Sequence, residues 1–148
     1  MGFSVYSDEH FMGEALKEAR LAASEEEVPV GAVIVCDGKI IARAHNMTER
    51  LNDVTAHAEM IAITAAANYL GAKYLTGCTI YITVEPCPMC AAALGWAQID
   101  KVVYGASDPK KGYSLVQGRL LHPKTLVVKG LRASECSELM IDFFRTRR

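Results

Sequence analysis

Two short segments, Thr55-Ala56-His57-Ala58-Glu59 and Glu85-Pro86-Cys87-Pro88-Met89-Cys90, constrain this chain more than any other feature of it. Each stands where a loop or strand gives way to a helical pattern. Cys87 and Cys90 are three positions apart, so the first turn of a helix aims both sulfurs at one point. A helix N-terminus also favours thiolate over thiol, and thiolate is the form that binds metal. His57 completes three protein ligands and leaves the fourth tetrahedral position for water, the arrangement of a catalytic rather than a structural zinc. Glu59 lies two residues beyond His57 and does not share its helical direction. It can sit beside the water and carry its proton without displacing it. Any fold for this chain must bring those two helix starts together.

A C-x-x-C pair alone also reads as a redox pair or as half of a structural zinc site. The redox reading wants the motif near the start of a thioredoxin-like βαβ unit, whereas here it follows a later strand. A four-cysteine site would need Cys36, Cys78 or Cys136, none of which has a partner at ligand spacing. Those three are expected as buried small hydrophobic side chains, and His10, His45 and His122 at the surface or in structural roles. Five cysteines cannot form a complete intrachain disulfide set, so the default compartment is the cytoplasm.

The remaining chain reads as one alternating series, a single domain over residues 1–148, with 51% hydrophobic residues to build its core. Apolar residues three or four apart predict an amphipathic helix over roughly 8–24, capped by Ser7 or Asp8. Ala32–Cys36 and Lys39–Ala44 flank Asp37-Gly38, a two-residue hairpin signal. A helix over Ala56–Leu70, with Thr55 as its cap, precedes a strand at Thr79–Val84, a helix at Pro88–Trp96 and a strand at Lys101–Ala106. An irregular loop over Pro109–Pro123 leads to a strand at Thr125–Lys129 and a helix at Ser134–Arg145. This order predicts an α/β fold, a mixed sheet covered by helices on both faces. No stretch is uniformly apolar for the roughly 18 residues of a membrane span, and Met1–His10 lacks the pattern of a signal peptide.

With these motifs the sequence is similar to the cytidine-deaminase-like superfamily, and within it resembles the bacterial tRNA adenosine deaminases that convert wobble adenosine to inosine. Glu27-Val28-Pro29-Val30-Gly31-Ala32-Val33 matches the first-strand segment of that family and Ala44-His45-Asn46 the end of its hairpin. Val102–Asp108 matches its fourth strand and substrate loop, and Asp142-Phe143-Phe144-Arg145 its terminal helix. The metal segments are shared with cytosine, guanine and cytidine deaminases; the hairpin and terminal helix favour tRNA. The resemblance implies a three-layer α/β/α sandwich with a five-stranded mixed sheet, one Zn2+ per chain on His57, Cys87 and Cys90, and Glu59 as proton shuttle. It implies a homodimer whose subunits both shape the RNA site, and an anticodon stem-loop as partner. Substrate contacts fall on Pro29, Val30, Asn46, the peptide N–H groups of Ala58 and Cys87, Asp108, Phe143, Phe144 and Arg145.

Several of these residues have plainer readings. Asn46 can turn the chain out of a strand, Asp108 can make a turn before Pro109, and Pro29 and Val30 can simply begin one. Trp96 reads as core or dimer contact. Adjacent helix positions diverge by about 100°, so one of Phe143 and Phe144 is expected in the core and the other exposed to stack on an unpaired base. The segment Lys111-Gly112-Tyr113-Ser114-Leu115 departs from the Gly-Ala-Ala-Gly-Ser-like stretch of many tRNA enzymes, and the connection after it is short. The charge distribution is compatible with a polyanionic partner but reads first as an ordinary solvated face: residues 74–148 hold ten Lys/Arg against six Asp/Glu, while residues 1–73 hold six against eleven. The competing expectations are a small-molecule deaminase acting on guanine, cytosine or a nucleoside, and a non-catalytic nucleic-acid-binding module with a structural zinc. The second leaves Glu59 without a role.

Overall fold

The computed structural model describes residues 7–147. Helix α1 (Asp8–Ser24) is capped by Ser7, whose hydroxyl accepts from the His10 N–H at 3.0 Å. Strands β1 (Gly31–Cys36) and β2 (Lys39–His45) form the expected hairpin. Asp37 and Gly38 both take positive φ, 52° and 72°, the geometry that matches a two-residue turn to the twist of its strands. Then follow α2 (Ala58–Leu70), β3 (Cys78–Val84), α3 (Pro88–Trp96), β4 (Lys101–Ala106), a 3-10 turn at Tyr113–Leu115, β5 (Leu126–Lys129) and α4 (Ala133–Arg145).

The five strands are ordered β2-β1-β3-β4-β5. β1 runs antiparallel to both β2 and β3, whereas β3–β4 and β4–β5 are parallel. Alternation along each strand feeds two cores. Ile34, Ile80, Ile82 and Val102 pack with α2 and α3, while Val33, Val35, Tyr81 and Val103 pack with α1 and Cys136 of α4. The result is the three-layer mixed-sheet sandwich that the sequence predicted. No helix among the described residues is long and apolar enough to cross a membrane.

Two expectations need correction. Thr55 does not cap α2: its N–H and hydroxyl both donate to Asp53 Oδ1, at 2.8 and 2.7 Å, in a turn of their own. The helix starts at Ala58 and its N-cap residue is His57, which makes no side-chain cap bond. Cys36 is only partly buried, unlike Cys78 and Cys136.

α1 lies so close to β1 that a Cβ on Gly31 would collide with the Ala15 carbonyl oxygen and the Ala19 amide nitrogen. Beside this contact, His45 Nδ1 and Nε2 each lie 3.0 Å from a carboxylate, Glu18 and Glu25 respectively. Arg43 pairs with Glu14 and reaches Glu18, and Arg50 reaches Glu25. Burial opposes protonation of His45, but the hydrogen bonds to Glu18 and Glu25 outweigh it and raise the pKa. A group whose folded pKa is raised stabilises the fold fully below its unfolded value, about 6.5 for histidine, and loses that stabilisation as pH rises through the folded value. In urea titrations, wild-type stability is therefore expected to fall above about pH 6.5, with His45→Gln largely lacking that fall. Parallel pH profiles for the two proteins would contradict the assignment.

Candidate metal centre and active site

His57 and Cys87 are the N-cap residues of α2 and α3, and Cys90 lies in the first turn of α3, with Pro88 at the first helical position. Proline suits that position because its missing N–H would have had no helical partner. His57 Nδ1 lies 3.7 Å from Cys87 Sγ and 3.5 Å from Cys90 Sγ. A nitrogen and a sulfur bound tetrahedrally to one zinc are about 3.6 Å apart, given bond lengths of about 2.0–2.1 and 2.3 Å. The donor atoms thus fit a single zinc. Among the described residues, this is the one group of three or more His, Cys, Asp or Glu placed to hold a metal.

The three donors share protons when no ion competes for them. Hydrogen bonds from Cys90 and, after the opposing effect of burial, His57 bring the Cys87 thiol down to about 4. The bond to Cys87 raises His57, while Cys90 is pushed strongly up by Cys87 and by burial. Zinc takes the imidazole neutral and both sulfurs as thiolates, so binding releases the protons that the three donors share. Glu59 is 4% exposed, and burial raises its carboxyl to about 7. That value suits a group that must both accept and return a proton near neutrality.

A cavity of about 920 Å³ opens over these residues, and its lining includes His57, Glu59 and Cys87 together with Phe144 and Arg145 of α4. Val30, Asn46 and Asp108 also line it, as do Lys110 and Lys111. Pro29 is buried and absent from the lining, and Val28 is there instead. In extended chain, residues two apart share a face, so Val28 and Val30 face the cavity and Pro29 points away. Phe143 is likewise turned inward, 8% exposed against 50% for Phe144. The Arg147 guanidinium covers its ring at 3.7 Å. Trp96 is 84% exposed and so is not core. The Ala58 N–H donates to Asn46 Oδ1 at 2.8 Å. Asn46 thereby braces the start of α2 while lining the cavity.

Two buried carboxylates hold the cavity walls, and the sequence reading gave neither a role. Glu27, 1% exposed, accepts from the Glu49 and Arg50 N–H groups at 3.1 and 2.8 Å, fixing the loop between Asn46 and His57. Glu85, 5% exposed, accepts from the Asp108 and Ser114 N–H groups at 3.0 Å and from the Ser114 hydroxyl at 2.6 Å. Asp108 in turn accepts from the Lys110 and Lys111 N–H groups, both at 3.0 Å. Gly112 is required here because a Cβ would collide with the Glu85 carboxylate. Tyr113 stacks edge-on against Tyr104, with ring centroids 6.5 Å apart, which gives the departing segment a packing role. The available signal was an acid directly beside an apolar run, Glu27 before Val28 and Glu85 after Val84.

Residues 5–106 match the cytidine and deoxycytidylate deaminase zinc-binding region. The chain is 47% identical over 144 residues to the tRNA-specific adenosine deaminase of Agrobacterium fabrum, covering 94% of this chain and 95% of that one. It is equally 47% identical over 146 residues to the Bacillus subtilis protein of the same name, covering 95% and 91%. The chain belongs to the tRNA-specific adenosine deaminase family. A solved structure from a study of A-to-I editing by tRNA:A34 deaminases superposes with a TM-score of 0.82 at 48% identity, covering 88% of this chain and 98% of that one. Membership makes the chain a zinc-dependent aminohydrolase with one zinc per chain, since the matched zinc-binding region contains His57, Cys87 and Cys90.

Replacing Cys87 or Cys90 by Ala is expected to lower zinc content from one per chain to near zero; full occupancy in both variants by elemental analysis would exclude these ligands. Gly112→Ala tests the other wall. It should keep its zinc, lose about 1–3 kcal/mol of stability to overpacking against Glu85, and raise KM. An unchanged KM would show that this wall does not border the substrate.

Proposed function

We propose that this chain is a single zinc-dependent deaminase domain that hydrolyses the wobble adenosine of a tRNA anticodon to inosine, releasing ammonia. The observation that carries the reading is the continuity of one cavity from the metal ligands to Phe144 and Arg145 of the terminal helix. A free base would need only the part beside the metal ligands. A nucleotide flipped out of a loop brings neighbouring bases and phosphates with it, and the cavity lining adds an exposed aromatic ring, Phe144, and three cationic side chains, Lys110, Lys111 and Arg145. The near-full-length identity to tRNA-specific adenosine deaminases supports the same substrate.

His57, Cys87 and Cys90 hold the zinc, which when bound supplies the Lewis acidity that makes water nucleophilic near neutral pH. Glu59 takes a proton from the attacking water and delivers it to the purine ring nitrogen. It then helps move a proton to the departing amine, so that adenosine and water become inosine and ammonia. Asn46 holds the nucleotide through its NH2 group, with Val30 packed beside it. The Cys87 N–H, at the start of α3, faces charge developing on the substrate. Asp108 fixes the loop that carries Lys110 and Lys111, and Phe144 stacks on a base next to the target.

The protein acts in the cytoplasm as a homodimer. Exposed apolar side chains, Val54 and Leu115 lining one surface groove and Trp96 at the end of α3, 85%, 57% and 84% exposed, support a partner subunit.

Ammonia release and inosine formation should be seen with an anticodon stem-loop and not with free guanine, cytosine or nucleosides; the opposite preference would overturn the tRNA reading. Glu59→Gln keeps size and hydrogen bonding but cannot carry the proton. It should retain zinc while kcat falls at least about 10²–10⁴-fold. Unchanged turnover would place the proton transfer elsewhere. Phe144→Ala should lower kcat/KM on the stem-loop by roughly 5–100-fold, the equivalent of one lost base stack. Arg145→Ala should flatten its salt dependence. A salt response identical to wild type would remove Arg145 from the RNA contact.

A further inference from the structure

At the end of the sheet away from the metal, Cys36 is the last residue of β1 and Cys78 the first of β3. The strand register places them directly opposite one another. The Cys78 N–H donates to Leu75 and its carbonyl accepts from Asp100, both at 3.1 Å, so both backbone groups face away from β1. Cys36 pairs across the hairpin with Lys39 on its other side. The two cysteines therefore form a non-hydrogen-bonded antiparallel pair. In such a pair the Cα atoms are about 4.5 Å apart and both side chains lie on one face, and that spacing falls within the range of a disulfide.

We propose that Cys36 and Cys78 are a reversible redox pair, joined as a disulfide when the protein meets a low-molecular-weight disulfide such as oxidised glutathione. Cys36 is the attacking group because it is partly exposed, whereas Cys78 is fully buried. Its thiolate attacks one sulfur of the oxidant, whose S–S bond breaks to release one thiol and leave a mixed disulfide on Cys36. Cys78 then gives up its proton and attacks the Cys36 sulfur, displacing the second thiol. The two cysteines lose two electrons, the oxidant gains them, and both protons end on the released thiols. Burial and the neighbouring Cys36 thiol push the Cys78 thiol up to about 12, so the second step depends on the mixed disulfide being held beside it. Cys136 is buried against Gly105 and has no cysteine opposite. Cys87 and Cys90 belong to the metal site, which lies beyond the other end of β3, about 20 Å along the strand.

The bond would enclose residues 36–78, which contain β2, Asn46, His57 and all of α2. Its effect is to constrain the unfolded chain around the first half of the active site. The inference does not depend on the identity of the substrate.

The test uses zinc-loaded protein titrated with oxidised and reduced glutathione, followed by alkylation of free thiols and tandem mass spectrometry. Fragment ions must assign the link, because Cys78, Cys87 and Cys90 share the tryptic peptide between Lys73 and Lys101. The expected product is a Cys36–Cys78 link formed with full zinc retention and a Tm raised by about 5–10 °C. Cys78→Ser should stop at a stable glutathione adduct on Cys36, with no rise in Tm. Two results in the wild type would overturn the proposal. One is a persistent adduct on Cys36 without the intramolecular link. The other is a pair of free thiols at a glutathione ratio that already oxidises Cys87 and Cys90 and releases zinc.

Discussion

Two helix starts, drawn from separate parts of the chain, must meet within the span of a single ion. α2 is reached through the β1–β2 hairpin, and α3 through the end of β3. β3 is the central strand, antiparallel to β1 on one side and parallel to β4 on the other. This position sets where α3 begins relative to α2, because both helices pack on the same face of the sheet. The N-cap positions of both helices carry ligands and make no side-chain cap bonds. Orphan N–H groups at a helix start normally need a partner. At α2 one of them, on Ala58, is satisfied from a distance by Asn46. The ligand geometry is thus tied to the hairpin through one carboxamide.

The same economy appears in the walls of the cavity. Glu27 and Glu85 are buried carboxylates whose hydrogen-bond partners are backbone N–H groups and hydroxyls, with no Lys or Arg side chain among them. Hydrogen bonds to a charged acceptor are roughly twice as strong as neutral ones, so each carboxylate orders a loop with few contacts. By contrast, the exposed pair between Arg145 and Asp142, 3.5 Å apart, contributes little. Arg145 is left with freedom to move toward another anion.

The metal motif and most element boundaries were legible because they rest on local chemistry. Three-residue spacing, a hairpin dipeptide and apolar periodicity leave marks within a few residues of one another. α3 and β4 occupy the predicted spans, Pro88–Trp96 and Lys101–Ala106. The start of α2 was misplaced because Thr55 had two ways to use its hydroxyl, and the nearer acceptor, Asp53, took it. Nonlocal relations were not legible. Nothing in the sequence says that Cys36 faces Cys78, since 42 positions separate them and only the β1–β3 register makes them neighbours. The roles of Glu27 and Glu85 were hidden in the same way, because a lone acid beside an apolar strand looks the same whether its partners are water or a distant loop. Phe143 and Phe144 lie between these cases. Helical geometry required that they diverge, but only the packing of α4 decided which one turned inward.

Glu85 holds the chain as far as Ser114, and the core takes hold of it again at Leu121. Between these anchors, Leu115 to Arg119 are exposed; Leu115 and Val116 border His57 and Cys87 in a surface groove, whereas Gln117 to Arg119 line neither that groove nor the cavity. An insertion or deletion at Gln117 to Arg119 changes the length of a surface connection without moving the catalytic centre, and lengthening a flexible loop costs little. Family members can therefore differ in length here while sharing the same chemistry. For protein engineering these three residues are a grafting site: an added peptide would be attached to a scaffold that does not need to adjust to it.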